Sequence, residues 1–189
     1  MCKTMVDPKQ YGPVFVGMRC TGKSTITPLA AQILGLRWID SDAIIEQSQG
    51  RTIPEIFERD GEQGFRMIEG QTLLHLLDQP GTVLSTGGGA ILNAEVRAIL
   101  CDRFTVWLHA PIEVLAKRIE NSTRPSLTGS PAHEELADIL GQREPLYRQV
   151  CRIIVNTESI PPNAAAQLIA DSYRAMCGTS QAGEDSHGI

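Results

Sequence analysis

Short runs of apolar and β-branched residues alternate along the chain with longer stretches of helical period. Residues 13–17, 37–40, 82–86, 104–108 and 151–155 read as strands. Between the first two, Ile26, Leu29, Ala30, Ile33 and Leu34 fall on one helical face, and Gly35 stands where a helix of that length would be capped. Strand and helix in alternation predict βαβ units around a mainly parallel sheet, an α/β fold. Residues 52–60 and 64–79 read as two more helices, in a connection between the second and third strands too long for a plain crossover. This insertion, about residues 43–80, is expected to form a ligand-binding lobe. Residues 121–133 contain Pro125, Gly129 and Pro131 with little apolar content, the make-up of a mobile surface loop and a candidate lid. Residues 178–189 are small and polar and are expected to form a disordered tail, leaving residues 1–177 as one domain.

Composition narrows the function. A chain of 189 residues, 42% hydrophobic, can build one full core. Its net charge of −5 offers no basic stripe for nucleic acid or an anionic membrane, so the expected partners are small molecules, bound by a monomer. No run of about 18 apolar residues occurs, and the first residues lack the charged and apolar regions of an export signal. A cytoplasmic address is expected. Cys2, Cys20, Cys101, Cys151 and Cys177 are odd in number and widely spaced, which suits reduced thiols better than a disulfide framework or a zinc site.

The segment from Gly17 to Ser24 reads G-M-R-C-T-G-K-S and matches G-x-x-x-x-G-K-[ST] between a predicted strand and a predicted helix. A loop of this kind turns its backbone N–H groups and the helix N-terminus toward phosphate oxygens. Gly17, Arg19, Cys20, Thr21, Gly22 and Thr25 are therefore expected at a bound nucleotide, with Lys23 on its β- and γ-phosphates and Ser24 on Mg²⁺. At the carboxyl end of the second strand stands Asp40-Ser41-Asp42, on the edge where α/β sheets bind ligands. One carboxylate there can hold a metal through water while the other meets an acceptor hydroxyl, or the pair can cap the helix starting near Ala43. Gly87, Gly88 and Gly89 follow the third strand, where bare backbone would admit a ligand closely; a flexible turn is the alternative. Glu62, Arg66 and Glu69 share a helix face, as an oriented arginine or as a solvated charge stripe. Arg143 lies on the apolar face set by Leu136, Ile139 and Leu140, where a guanidinium calls for an anion.

The blocks VGMRCTGKST, IDSD, DGEQGFRMIE, STGGGA, RPSL and REPLY, in this order, resemble the shikimate kinase family over roughly residues 14–168. That resemblance implies a P-loop NTPase fold, three-layer αβα with a five-stranded parallel sheet, and phosphoryl transfer from ATP to shikimate with Mg²⁺. It implies that Lys23 and Ser24 bind phosphates and Mg²⁺, and that Asp40 holds the metal through water. Asp42 would meet the shikimate hydroxyls, Arg66 and Arg143 would grip its carboxylate, and Gly87, Gly88 and Gly89 would line its pocket. Arg124 matches a lid arginine that closes over the γ-phosphate, and Lys117 and Arg118 both lie near the adenine-stacking position. Three positions depart from the family: Cys20, where Gly or Ala is usual; Gly70, where an acidic residue is common; and Ser126, in place of Leu. Gly70 costs ~1 kcal/mol of helix propensity against Ala. The rival readings are a kinase for gluconate or a nucleotide, and a nucleotide-binding regulator without catalysis. A GTPase is disfavoured because no N-K-x-D element occurs.

Overall fold

The computed structural model describes residues 10–120 and 132–179. Five parallel strands, β1 (Val14–Val16), β2 (Arg37–Asp40), β3 (Thr82–Ser85), β4 (Thr105–His109) and β5 (Ile153–Asn156), form one sheet in the order β2-β3-β1-β4-β5. The helices are α1 (Lys23–Leu34), α2 (Ser41–Gln49), α3 (Ile53–Leu77), α4 (Ala94–Cys101), α5 (Ile112–Glu120), α6 (Ala132–Val150) and α7 (Pro162–Thr179). β1 takes β3 as one neighbour and β4 as the other, so the chain fills one flank of the sheet before crossing to the opposite flank. The crevice at the carboxyl end of β1 is thus the topological switch point where open α/β sheets bind ligands.

Alternation along the central strands divides the core between the two faces of the sheet. Phe15, Val83, Val106 and Leu108 pack with Ile26 and Ala30 of α1 and Ala165 and Ile169 of α7. Val14, Val16, Leu84 and Trp107 pack on the other face with Leu73, Leu100, Leu115 and Tyr147. The five strands and two helical layers are the αβα architecture read from the sequence.

Between β2 and β3 lies the inserted pair α2 and α3, with a small core of its own built on Ile45, Ile56 and Phe65. The two helices expected at 52–60 and 64–79 are the arms of α3, which Gly61 interrupts with φ 68° and ψ 179°. Phe57 and Phe65 stack across the break at 4.5 Å, which sets the angle between the arms. Thr52 begins α3 with a reciprocal capping box to Glu55.

Several boundaries move. α2 starts at Ser41, directly after β2, instead of near Ala43. Ala132 and His133 belong to α6 and not to the expected loop, and α7 continues to Thr179, past the start of the expected tail. The rest of the candidate lid, including Arg124 and Ser126, and residues 180–189 lie outside the described residues. Among the described residues no helix is long and apolar enough to cross a membrane.

Gly70 has a packing reason. It is buried on α3 against Asn93, the N-cap of α4, whose Oδ1 accepts from the N–H groups of Glu95 and Val96 at 2.9 and 3.1 Å. A β-carbon at position 70 would lie 2.5 Å from Asn93 Nδ2. Gly70→Ala gains ~1 kcal/mol of propensity but disturbs the cap or overpacks the contact, so a net loss of about 1 kcal/mol is expected. Urea unfolding will read it, and a higher midpoint for the variant would refute this account.

Candidate functional site

β1 runs into the phosphate loop, which closes on itself. Thr21 is buried, and its hydroxyl donates to the Met18 carbonyl at 2.8 Å. Lys23 folds back over the loop, its Nζ donating to the carbonyls of Gly17 at 2.7 Å and Met18 at 2.9 Å. The ammonium is thereby held at the N-terminus of α1, where helix dipole and unsatisfied N–H groups favour an anion. Cys20 has φ 63°, and among the described residues it is the one non-glycine with a positive φ. The loop needs a left-handed residue there, a conformation that glycine takes at little cost.

Arg19, Cys20, Gly22, Lys23, Ser24 and Thr25 line one wall of a cleft of about 470 Å³. Arg118 of α5 closes one end of it, beside Ile160 and Pro162. Its guanidinium donates to the Cys20 carbonyl at 3.1 Å and to Thr157 Oγ1 and O at 3.1 and 2.8 Å. Lys117 is exposed. Of the two basic candidates, Arg118 is the one that faces the loop.

Asp40, Asp42, Gly87 and Gly88 line the cleft on the side of β2 and β3. Asp40 is the N-cap of α2, accepting from the Asp42 N–H at 2.9 Å, so the capping alternative and the ligand alternative both describe it. The cap occupies one of about four acceptor positions on a carboxylate. Between the two aspartates, Ser41 is fully buried. Its Oγ accepts from the Gly87 N–H at 3.2 Å and donates to Asp42 Oδ1 at 3.5 Å. Ser41 therefore ties the glycine loop to the start of α2.

The glycines after β3 meet the charged groups directly. A β-carbon on Gly87 would lie 2.7 Å from Asp42 Oδ1 and 2.8 Å from Glu69 Oε1, and one on Gly89 would lie 2.6 Å from Arg66 Cζ. One on Gly88 would lie 3.6 Å from Arg143 Nη1. Asp42, Glu69, Arg66 and Arg143 thus converge on one turn of backbone, although α2, α3 and α6 carry them. Arg66 is no solvated stripe: it donates to Glu69 Oε2 at 2.7 Å and to Glu62 Oε1 at 3.3 Å, and the Glu69 side chain is 4% exposed. Arg143 is half-buried, between Leu140 and Tyr147 on the stripe that also buries Leu136 and Val150. The Tyr147 hydroxyl donates to the Gly88 carbonyl at 2.6 Å, beside the Arg143 guanidinium. Burial pushes that hydroxyl well above the ordinary tyrosine range, so it stays a donor.

Sequence reasoning did not single out Ser41, Tyr147, Thr157 or Glu135. Glu135 is buried and forms an ion pair with Arg19 of the loop. The only local sign was the position of Ser41 between two candidate aspartates and of Tyr147 one helical turn after Arg143. Among the described residues, no cluster of three or more histidine, cysteine or acidic groups is arranged to hold a metal. The oxygen donors of Ser24 and Asp40 face one cleft, a set that suits a hard cation keeping water and phosphate ligands.

The strain at Cys20 is testable. Cys20→Gly keeps the carbonyl that Arg118 binds and removes the left-handed penalty, for an expected gain of about 0.5–1 kcal/mol after the unfolded-state entropy of glycine is counted. Calorimetry should show Tm rising by about 1–4 °C; a fall would mean that the thiol has a packing role.

The model of the family described as shikimate kinase matches residues 19–174. A protein named shikimate kinase 2 from Yersinia pseudotuberculosis is 40% identical over 159 residues, covering 82% of this chain and 91% of its own length. The solved shikimate kinase from Acinetobacter baumannii in complex with shikimate superposes with a TM-score of 0.77 at 33% identity, covering 90% of this chain and 96% of that one. A gluconokinase from Sinorhizobium meliloti shares the fold, with a TM-score of 0.60 at 16% identity. With a phosphate loop facing a charged glycine turn across one cleft, and relatives of this identity and coverage, the chain belongs to the shikimate kinase family.

Proposed function

We propose that the protein transfers the γ-phosphoryl group of ATP to the 3-hydroxyl of shikimate, giving shikimate 3-phosphate and ADP. The observation that carries this is the single cleft with a phosphate loop on one wall and, on the other, Asp42 beside a turn that two arginines approach. In this reading the N–H groups of residues 17–25 and Lys23 hold the β- and γ-phosphates, and Arg118 flanks the adenine. Asp42 accepts the proton of the 3-hydroxyl as its oxygen bonds to the γ-phosphorus and the bond to the β-phosphate oxygen breaks. Arg66 and Arg143 take the carboxylate, with Glu69 and Glu62 fixing the Arg66 guanidinium in advance. Ser24, and Asp40 through water, would hold Mg²⁺, which when bound supplies charge neutralisation on the phosphates. Arg124, outside the described residues, is assigned by the family resemblance to the γ-phosphoryl group, where a closing arginine would exclude water that otherwise hydrolyses ATP. Among the described residues Cys20, Cys101, Cys151 and Cys177 form no disulfide, and we assign the protein to a reducing compartment, the cytoplasm.

An ADP-release assay with ATP and Mg²⁺ should show turnover with shikimate well above that with quinate or gluconate. Faster turnover of gluconate would overturn the assignment. Lys23→Ala and Asp42→Asn are each expected to lower kcat by about 10²–10⁴-fold while circular dichroism stays native. An unchanged kcat in either variant would remove that residue from the mechanism.

A further inference from the structure

Arg143 reaches the glycine turn from α6, and a long side chain with that many rotamers needs something to hold its head in place. Glu69 and Glu62 do this for Arg66. For Arg143 the neighbouring group is neutral. Tyr147 stands one turn further along the same helix with its ring fully buried and stacked on Trp107, centroids 5.4 Å apart and planes 16° apart. Its hydroxyl donates to the Gly88 carbonyl at 2.6 Å, and a β-carbon on Gly88 would lie 3.6 Å from Arg143 Nη1. The result is a relay of position, from the Gly88 backbone through the hydroxyl to α6 and the guanidinium one turn back. A carboxylate in place of the hydroxyl would orient the arginine equally well but would neutralise it; a phenol leaves the positive charge available to an incoming anion.

We propose that Tyr147 is a positioning residue for acceptor recognition: its hydroxyl, bonded to the Gly88 carbonyl, holds α6 against the turn that lines the acceptor pocket and so sets where the carboxylate-binding guanidinium of Arg143 meets that turn. The inference rests on the reading of Arg143 as a ligand of the acceptor's acid group. It separates two roles within one side chain. The ring belongs to the core and the hydroxyl to the site, so the two can be tested apart.

Tyr147→Phe keeps the stack on Trp107 and removes the relay. It is expected to raise the KM for shikimate about five- to tenfold, the loss of one neutral hydrogen bond, with the KM for ATP unchanged and Tm within about 4 °C of wild type. The effect should fall mainly on KM, because the bond orients a part of the substrate remote from the reacting hydroxyl. Arg143→Ala, assayed beside it, is expected to raise the shikimate KM further still. If Arg143→Ala does so while Tyr147→Phe leaves that KM unchanged, the relay is overturned and the role of Arg143 stands. If Tyr147→Phe raises both KM values together and lowers Tm strongly, the hydroxyl serves packing and the proposal is overturned. If Arg143→Ala itself leaves the shikimate KM unchanged, the carboxylate reading falls and the relay falls with it.

Discussion

A β-carbon on Gly17 would run into the Leu108 carbonyl, and one on Gly87 or Gly89 would occupy the space of Asp42, Glu69 or Arg66. The site depends on this constraint: backbone at the carboxyl ends of β1 and β3 passes where no side chain fits. Bare backbone does two things there. It offers N–H and C=O groups at short range without screening, and it lets charged heads from three helices come close enough to act on one small molecule. The sheet supplies the rigid edge, since β1 and β3 are buried along their full length. Without that rigidity the glycines would be a source of disorder rather than of precision.

Electrostatic order at the site is arranged in advance. Charges brought into a partly desolvated cleft are costly unless they are paired, and several here have a local partner. Glu69 and Glu62 hold Arg66, Glu135 holds Arg19, the Asp42 N–H engages Asp40, and backbone carbonyls hold Lys23 and Arg118. Most of the partners lie on a different element from the group they steady or on a neighbouring turn. The site is therefore a property of how the helices dock on the sheet, and small shifts in that docking would be felt in several of its pairs at once.

Much of the fold was legible in the chain because the signals are local. Strand periodicity, the cap at Gly35 and the break between the two arms of α3 each depend on a few consecutive residues. The phosphate loop is legible for the same reason: its conformation is written in one continuous segment. The glycine at position 70 misled in the opposite sense, since propensity counts its cost on α3 but says nothing of Asn93, which lies in a later segment and needs the space. Asp40 shows a different ambiguity. Capping and ligand binding use the same carboxylate geometry, so the chain alone set them as alternatives where the structure has both on offer.

From the sequence alone came the layered α/β architecture, the phosphate loop and the residue types able to meet a metal, a hydroxyl and an acid group. Each follows from short-range rules of periodicity, turn chemistry and charge. The tertiary structure alone decided which of Lys117 and Arg118 faces the loop, that Ser41 ties the glycine turn to α2, and that Tyr147 ties α6 to Gly88. These pairings join residues far apart in the chain, and no local rule reaches them: which side chains meet is fixed only when α2, α5 and α6 pack against the sheet and their orientations are set by the core beneath.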